Sequence, residues 1–176
     1  MRLGFAVSVL GKAGLKSYDS RRWQNSPHLS VSLLYLRDIL EYLHAQDLHM
    51  YRMASQLAPY FSHPEMPQFH GQIEECAAEL GFVGRLARAY AVRLSFHALP
   101  YTALGAPDPA LQEKSAVDLA GLARMLDLME LGPEAVIVTH VGGAYGDMAA
   151  TKERFVAAFR RLPVAAQRRL VVENDD

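Results

Sequence analysis

Two spacings of apolar residues alternate along the chain. Five short runs, Leu3 to Val9, His49 to Met53, Val92 to Phe96, Ala135 to Thr139 and Leu170 to Val172, are apolar nearly throughout and bounded by turn residues or helix ends, which predicts strands. Between them the period lengthens. Leu29, Leu33, Leu36, Leu40 and Leu43 recur at steps of four and three, which places them on one helical face. Ile73, Ala77, Leu80, Gly84 and Ala87 repeat the pattern, as do Leu119, Leu122, Leu126 and Met129, and then Phe155, Phe159 and Leu162. Five strands joined by four helices, with no hairpin signal, predict parallel pairing, because parallel strands need a long crossover. The class is α/β. A doubly wound open sheet and a (β/α) barrel both fit this alternation, and no Gly-x-Gly-x-x-Gly follows the first strand to decide between them.

Polar residues at strand ends say more. In parallel α/β folds the reacting groups gather at the carboxyl ends of the strands. His63 lies in the loop after the second strand, His97 closes the third, His140 the fourth and Glu173 the fifth. Three imidazoles and a carboxylate converging on one face suit a divalent transition metal such as zinc or manganese. Taken singly, each is more often a hydrogen-bonded loop residue, but His28, His44, His49 and His70 show no such placement. Glu173 follows Leu170-Val171-Val172 directly, which aims it at the mouth of the sheet rather than into a solvated tail; Asp175 and Asp176 are candidates to support it from behind.

Three further stretches stand out. Gly11 to His28 is a long loop carrying Lys12, Lys16, Arg21 and Arg22 against Asp19 alone, with Tyr18 and Trp23 interleaved. Such a strip suits a nucleic-acid backbone and unstacked bases, although a solvated surface loop is the commoner origin of that composition. Val141 to Asp147 is glycine-rich but lacks a following Gly-Lys-Ser/Thr, so tight-turn geometry is the simpler reading. Arg160, Arg161, Arg168 and Arg169 read as solvated, and Cys76 as a packing residue within the second helix.

Composition narrows the class further. With 176 residues, 51% hydrophobic and 21% charged, the chain suits one globular domain. A formal net charge of -1 gives no global attraction for nucleic acid, so any such contact must be local. One cysteine excludes an internal disulfide and fits a reducing, cytoplasmic setting. The first ten residues do not read as a signal peptide, and no apolar run approaches the roughly 20 residues needed to cross a bilayer, so no membrane partner is expected.

Several of these stretches together resemble the UV damage endonucleases in order and spacing. They are Met50-Tyr51-Arg52-Met53-Ala54-Ser55, Leu57-Ala58-Pro59 with Ser62-His63-Pro64, Leu94-Ser95-Phe96-His97, Val138-Thr139-His140-Val141-Gly142-Gly143 and Val172-Glu173-Asn174-Asp175. The likeness runs over essentially the whole chain. It implies a TIM barrel related to endonuclease IV that holds divalent ions, usually manganese with zinc or magnesium as alternatives, and cuts damaged double-stranded DNA 5′ to UV photoproducts and some other lesions. His63, His97, His140 and Glu173 carry over by position as metal ligands, with His97, His140 and Glu173 at the centre of the chemistry. Lys12, Lys16, Arg21, Arg22, Trp23 and Tyr101 are the DNA-contact candidates.

Two stretches depart from that pattern. The family usually continues its third-strand histidine as His-Pro-Gly/Ser-Gln-Tyr/Phe, whereas this chain reads His97-Ala98-Leu99-Pro100-Tyr101; the aromatic survives, and Pro100 replaces the polar probe. Phe5 and Val9 stand where some members have tyrosine and asparagine, which predicts a more apolar floor. A closed barrel needs eight strands and about 250 residues. The expectation is therefore a single domain over 1–176 that forms the N-terminal part of an incomplete barrel, with about half of the metal site and with uncovered edges open to self-association. Two rivals remain: a metal-dependent sugar isomerase or epimerase on the related barrel, against which the basic loop argues, and a non-catalytic remnant that binds DNA or a partner chain.

Overall fold

The structure, a computed structural model, describes residues 3–9, 11, 12, 14–143 and 145–173. Five strands, β1 (Gly4–Ala6), β2 (Met50–Met53), β3 (Arg93–His97), β4 (Ile137–His140) and β5 (Leu170–Glu173), pair in parallel in the order β1-β2-β3-β4-β5. Sequential order decides what the sequence left open. A doubly wound sheet reverses its strand order at a switch point, whereas a barrel adds each strand beside the last. Because crossovers between parallel strands are almost always right-handed, an unreversed order keeps the connecting helices on one side of the sheet. The five strands are thus an arc of a (β/α) barrel.

Among the described residues, six α-helices rather than four make the outer layer: α1 (Leu29–Ala45), α2 (Gln72–Glu75), α3 (Ala77–Ala89), α4 (Pro109–Leu128), α5 (Met148–Arg161) and α6 (Val164–Arg169). Asp108, followed by Pro109 at the first helical position, starts α4 by accepting from Ala110 N–H, and Asp147 starts α5 by accepting from Ala150 N–H. The second apolar pattern breaks at Cys76, which lies between α2 and α3 rather than inside a helix. Gln72 explains the break. Its buried side chain accepts from Leu29 N–H and donates to the Pro59 and Phe69 carbonyls, tying α2 to the start of α1 and to the loop after β2 while α3 packs against α1 and α4. The sixth helix follows Pro163, where the apolar period lapses, and runs straight into β5.

Strand alternation sorts the side chains onto two faces. Tyr51, Met53, Leu94, Phe96 and Ile137 point to the helices and are buried in one core with Leu36, Leu40, Leu80, Leu122 and Leu126. Ala6, Arg52, Ser95, His97, Val138, His140, Val171 and Glu173 share the opposite face, as the register pairs Arg52 with Ser95, His97 with Val138 and His140 with Glu173. Phe5 lies directly beside Tyr51 in register and packs edge-on against the rings of Tyr51 and Tyr42. It belongs to the helix side, so the expected apolar floor is not formed by Phe5.

Arg169 also corrects the sequence reading. It is buried, not solvated: its guanidinium pairs with Asp127 at 2.7 Å and donates to the carbonyls of Leu131, Gly132 and Ala135. Arg160, Arg161 and Arg168 are not buried in this way.

Candidate metal centre

Three of the four proposed ligands converge. His97, His140 and Glu173 end three adjacent strands on the face away from the helices, and one ligand atom of each lies within 4.8 Å of the others. Alternation and register produce this meeting, since His140 and Glu173 are direct partners across β4 and β5 and His97 lies one strand away. His97 Nε2 stands 3.2 Å from Glu173 Oε2, and the rings of His97 and His140 are 5.0 Å apart between centroids.

Hydrogen bonding sets the state of His97. Its Nδ1 lies 2.9 Å from the Ala98 carbonyl, which only accepts, so Nδ1 carries the hydrogen. A neutral ring of that tautomer turns its Nε2 lone pair towards a carboxylate oxygen. Two acceptors at that distance are reconciled by a cation between them, either a proton or a metal ion. Imidazole nitrogens and carboxylate oxygens are the donors that manganese and zinc accept, and a backbone carbonyl behind Nδ1 is the usual way a ligand ring is oriented. The donor set fits a divalent ion.

His63 is not among the side chains that meet within 4.8 Å. It borders a neighbouring cavity of about 270 Å³ lined also by Tyr18, Arg21, Tyr60, Leu99 and Lys114. There its Nδ1 accepts from Glu65 N–H at 3.3 Å, and its carbonyl is 2.8 Å from His70 Nε2. The loop that carries it is pressed onto α4. Ser62 hydrogen-bonds Asp118, which also pairs with Lys114 at 3.0 Å, and Phe61 lies so close over Gly121 that a Cβ there would collide with the ring. Asp175 and Asp176 fall outside the described residues.

Of the proposed DNA contacts, Lys12, Arg22 and Trp23 are exposed, and Tyr101 is 80% exposed on the loop that follows His97. Lys16 rests over the Tyr35 ring at 5.4 Å. Arg21 is committed to its own loop. It closes a two-pronged ion pair with Asp19, whose buried carboxylate also accepts from His28 N–H. Hydrogen bonds from Arg21 hold the Asp19 carboxyl below the usual carboxylate range, against burial, which acts the other way.

Sequence reasoning overlooked Arg52. Strand alternation places it on the same face as the ligand group, beside Ser95. The signal was present as a lone cation inside Met50-Tyr51-Arg52-Met53, where its neighbours Tyr51 and Met53 face the core. The Gly142 backbone, at φ 102, takes a conformation that favours glycine and turns the chain away just past His140. Asp147, in the same glycine-rich loop, is spent on capping α5.

The chain is similar in sequence and fold to known proteins. The UV-endonuclease UvdE family model matches residues 25–176. A UV DNA damage endonuclease of Bacillus pumilus is 32% identical over 132 residues, covering 75% of this chain and 41% of that protein. A UV-damage endonuclease of Schizosaccharomyces pombe is 30% identical over 174 residues, covering 97% of this chain and 27% of that protein. The crystal structure of SacUVDE superposes with a TM-score of 0.88 at 28% identity, over all of this chain and 61% of the other. D-psicose 3-epimerase of Clostridium cellulolyticum H10 matches 77% of this chain and 45% of its own at 15% identity with a TM-score of 0.52, a likeness of fold alone. The chain spans less than half the length of these two curated relatives.

Proposed function

We propose, because this chain belongs to the UV-endonuclease UvdE family, that it carries the β3-to-β5 part of the incision site of a metal-dependent DNA-repair endonuclease. The observation behind this reading is the meeting of His97, His140 and Glu173 at the ends of three adjacent strands, on the face where a barrel of this kind works. The substrate is damaged duplex DNA, cut 5′ to a UV photoproduct, and the ion is manganese in preference to zinc or magnesium.

A divalent ion held by these three groups supplies Lewis-acid stabilisation of the charge that develops on the phosphate. The protein's own residues do the rest. Ala98 fixes the His97 ring through Nδ1, so that Nε2 points to Glu173. Arg52, on the same face, offers a cation to a phosphate oxygen entering over β2 and β3. Lys12, Lys16 and Arg22 track the DNA backbone through charge alone, while Trp23 and Tyr101 present exposed rings for stacking on bases displaced at the lesion. His63 serves the cavity it shares with Tyr18 and Lys114.

Incision of a UV-irradiated, end-labelled duplex with manganese tests the proposal, with a His97→Ala, His140→Ala double variant as the control. Cuts 5′ to photoproducts that disappear in the double variant are the expected result. Equal cutting by both proteins would remove the ligand group from the chemistry.

A further inference from the structure

Val7 holds a backbone conformation that side chains with a branched Cβ avoid. Its φ is 55°, just past the end of β1, at the centre of a three-residue turn in which Ser8 N–H donates to the Ala6 carbonyl at 2.6 Å. A turn of this kind with positive φ at its centre is the rare, strained form, and such strain persists only where the surroundings over-determine it. Here they do so in a specific way. The Val7 carbonyl accepts two hydroxyls, from Tyr51 at 2.8 Å and from Ser17 at 2.6 Å, and Val7 N–H donates to the Arg52 carbonyl at 2.8 Å.

These donors come from different places. Tyr51 belongs to β2 and is fully buried in the core, so its hydroxyl is held by rigid packing. Burial pushes that phenol up to about 12, which keeps it a neutral donor at neutral pH. Ser17 belongs to the basic loop, between Lys16 and Tyr18. The Val7 carbonyl therefore joins β2 to the first half of that loop. The second half has an anchor of its own: Asp19 N–H donates to Ser32 Oγ on α1, and the Asp19 carboxylate gathers Arg21 and His28 N–H.

We infer that Tyr51, through the strained Val7 carbonyl, is a positioning residue that sets the first half of the loop, with Lys12 and Lys16, over the mouth of the sheet for the DNA backbone. The inference rests on the DNA-binding reading of the loop. Tyr51 touches no substrate; it acts on the lysines through Val7 and Ser17. A side chain that served only the core would fill the same space as phenylalanine without any hydroxyl bond to a strained turn.

Three variants of the full chain test this: Tyr51→Phe, Tyr51→Phe with Val7→Gly, and Lys12→Ala with Lys16→Ala. Amide hydrogen exchange is read at Ser8, in the turn, and at His28, in the separately anchored half. Tyr51→Phe should speed exchange at Ser8 by about tenfold, the worth of one hydrogen bond of this kind, and leave His28 unchanged. It should also weaken binding of a UV-irradiated duplex and flatten the dependence of log affinity on log salt by about one to two, the loss of one or two lysine–phosphate contacts. Val7→Gly tolerates positive φ without strain, so adding it should return both readouts towards those of the unaltered chain. A purely structural role for the hydroxyl would make the double variant worse than Tyr51→Phe, not better. Unchanged Ser8 exchange in Tyr51→Phe, or a double variant that shows no recovery, overturns the positioning role. If Tyr51→Phe loosens Ser8 while the Lys12, Lys16 variant binds DNA as before, the loop is not the DNA contact, and the functional part of the inference falls with it.

Discussion

Replacing Arg169 by alanine should destabilise the fold by about 3 kcal/mol, the low end of what breaking a buried pair costs. The guanidinium makes five hydrogen bonds: two to Asp127 Oδ1 at 2.9 and 2.7 Å, and three to the carbonyls of Leu131, Gly132 and Ala135 at 2.9, 3.1 and 3.0 Å. The Asp127 carboxylate is 36% exposed, so water takes over part of that pairing and little stability should be assigned to it. The carbonyls carry the rest, at roughly 1 kcal/mol each once their partner is lost. For a chain of this size that corresponds to a fall in melting temperature of about 6 to 12 °C. Arg169→Lys should recover less than half of the loss, because a single ammonium cannot span the carboxylate and three carbonyls. Urea unfolding followed by circular dichroism, with thermal melts alongside, measures both. A loss below about 1 kcal/mol for Arg169→Ala, or full recovery by lysine, would refute this account. Because Arg169 directly precedes β5, the same substitution should also weaken any binding of manganese at the proposed centre that includes Glu173, as read by calorimetric titration.

Gly121→Ala should cost about 1 to 3 kcal/mol in urea unfolding, since the new Cβ meets the Phe61 ring and the loop that carries His63 must move. Arg52→Ala should lower incision of UV-irradiated duplex by about 10-fold or more, with the melting temperature little changed, through the loss of a cation beside the phosphate. Asp19→Asn should destabilise at neutral pH and progressively less in acid. The folded carboxyl titrates below its ordinary 3.8, so its contribution is complete above that value and is lost as pH falls through the lower folded one. Stability curves of the two proteins that stay parallel down to a pH of about 2 would contradict the role given to Asp19.

Periodicity located all five strands, because a short, fully apolar run between amphipathic stretches is what a strand buried in a parallel sheet requires. The meeting of His97, His140 and Glu173 was legible for a related reason. A polar residue at the last position of an apolar strand must face either the core or the mouth, and His97, His140 and Glu173 all face the mouth. What sequence could not show was distance across strands. His63 lies ten residues beyond the end of β2, on a loop docked onto α4, so neither alternation nor register fixes its place relative to the other three. Arg169 looked solvated because a charged pair near a helix end usually is; only the fold brings the turn after α4 beneath it. The break at Cys76 depends on the buried amide of Gln72, whose partners lie 43 and 13 residues away.

The proposed ligand group spans three neighbouring strands, and so an ion held there would also be a fastener. Two of its anchors, His140 and Glu173, sit on β4 and on β5, the strand whose Val171 and Val172 are substantially exposed. Whatever binds the native arrangement and not the unfolded chain raises stability in proportion to the logarithm of its concentration. Melting temperature against manganese concentration thus becomes a binding isotherm for the centre, legible without any DNA, and the first thing chelation should loosen is the β4–β5 pairing.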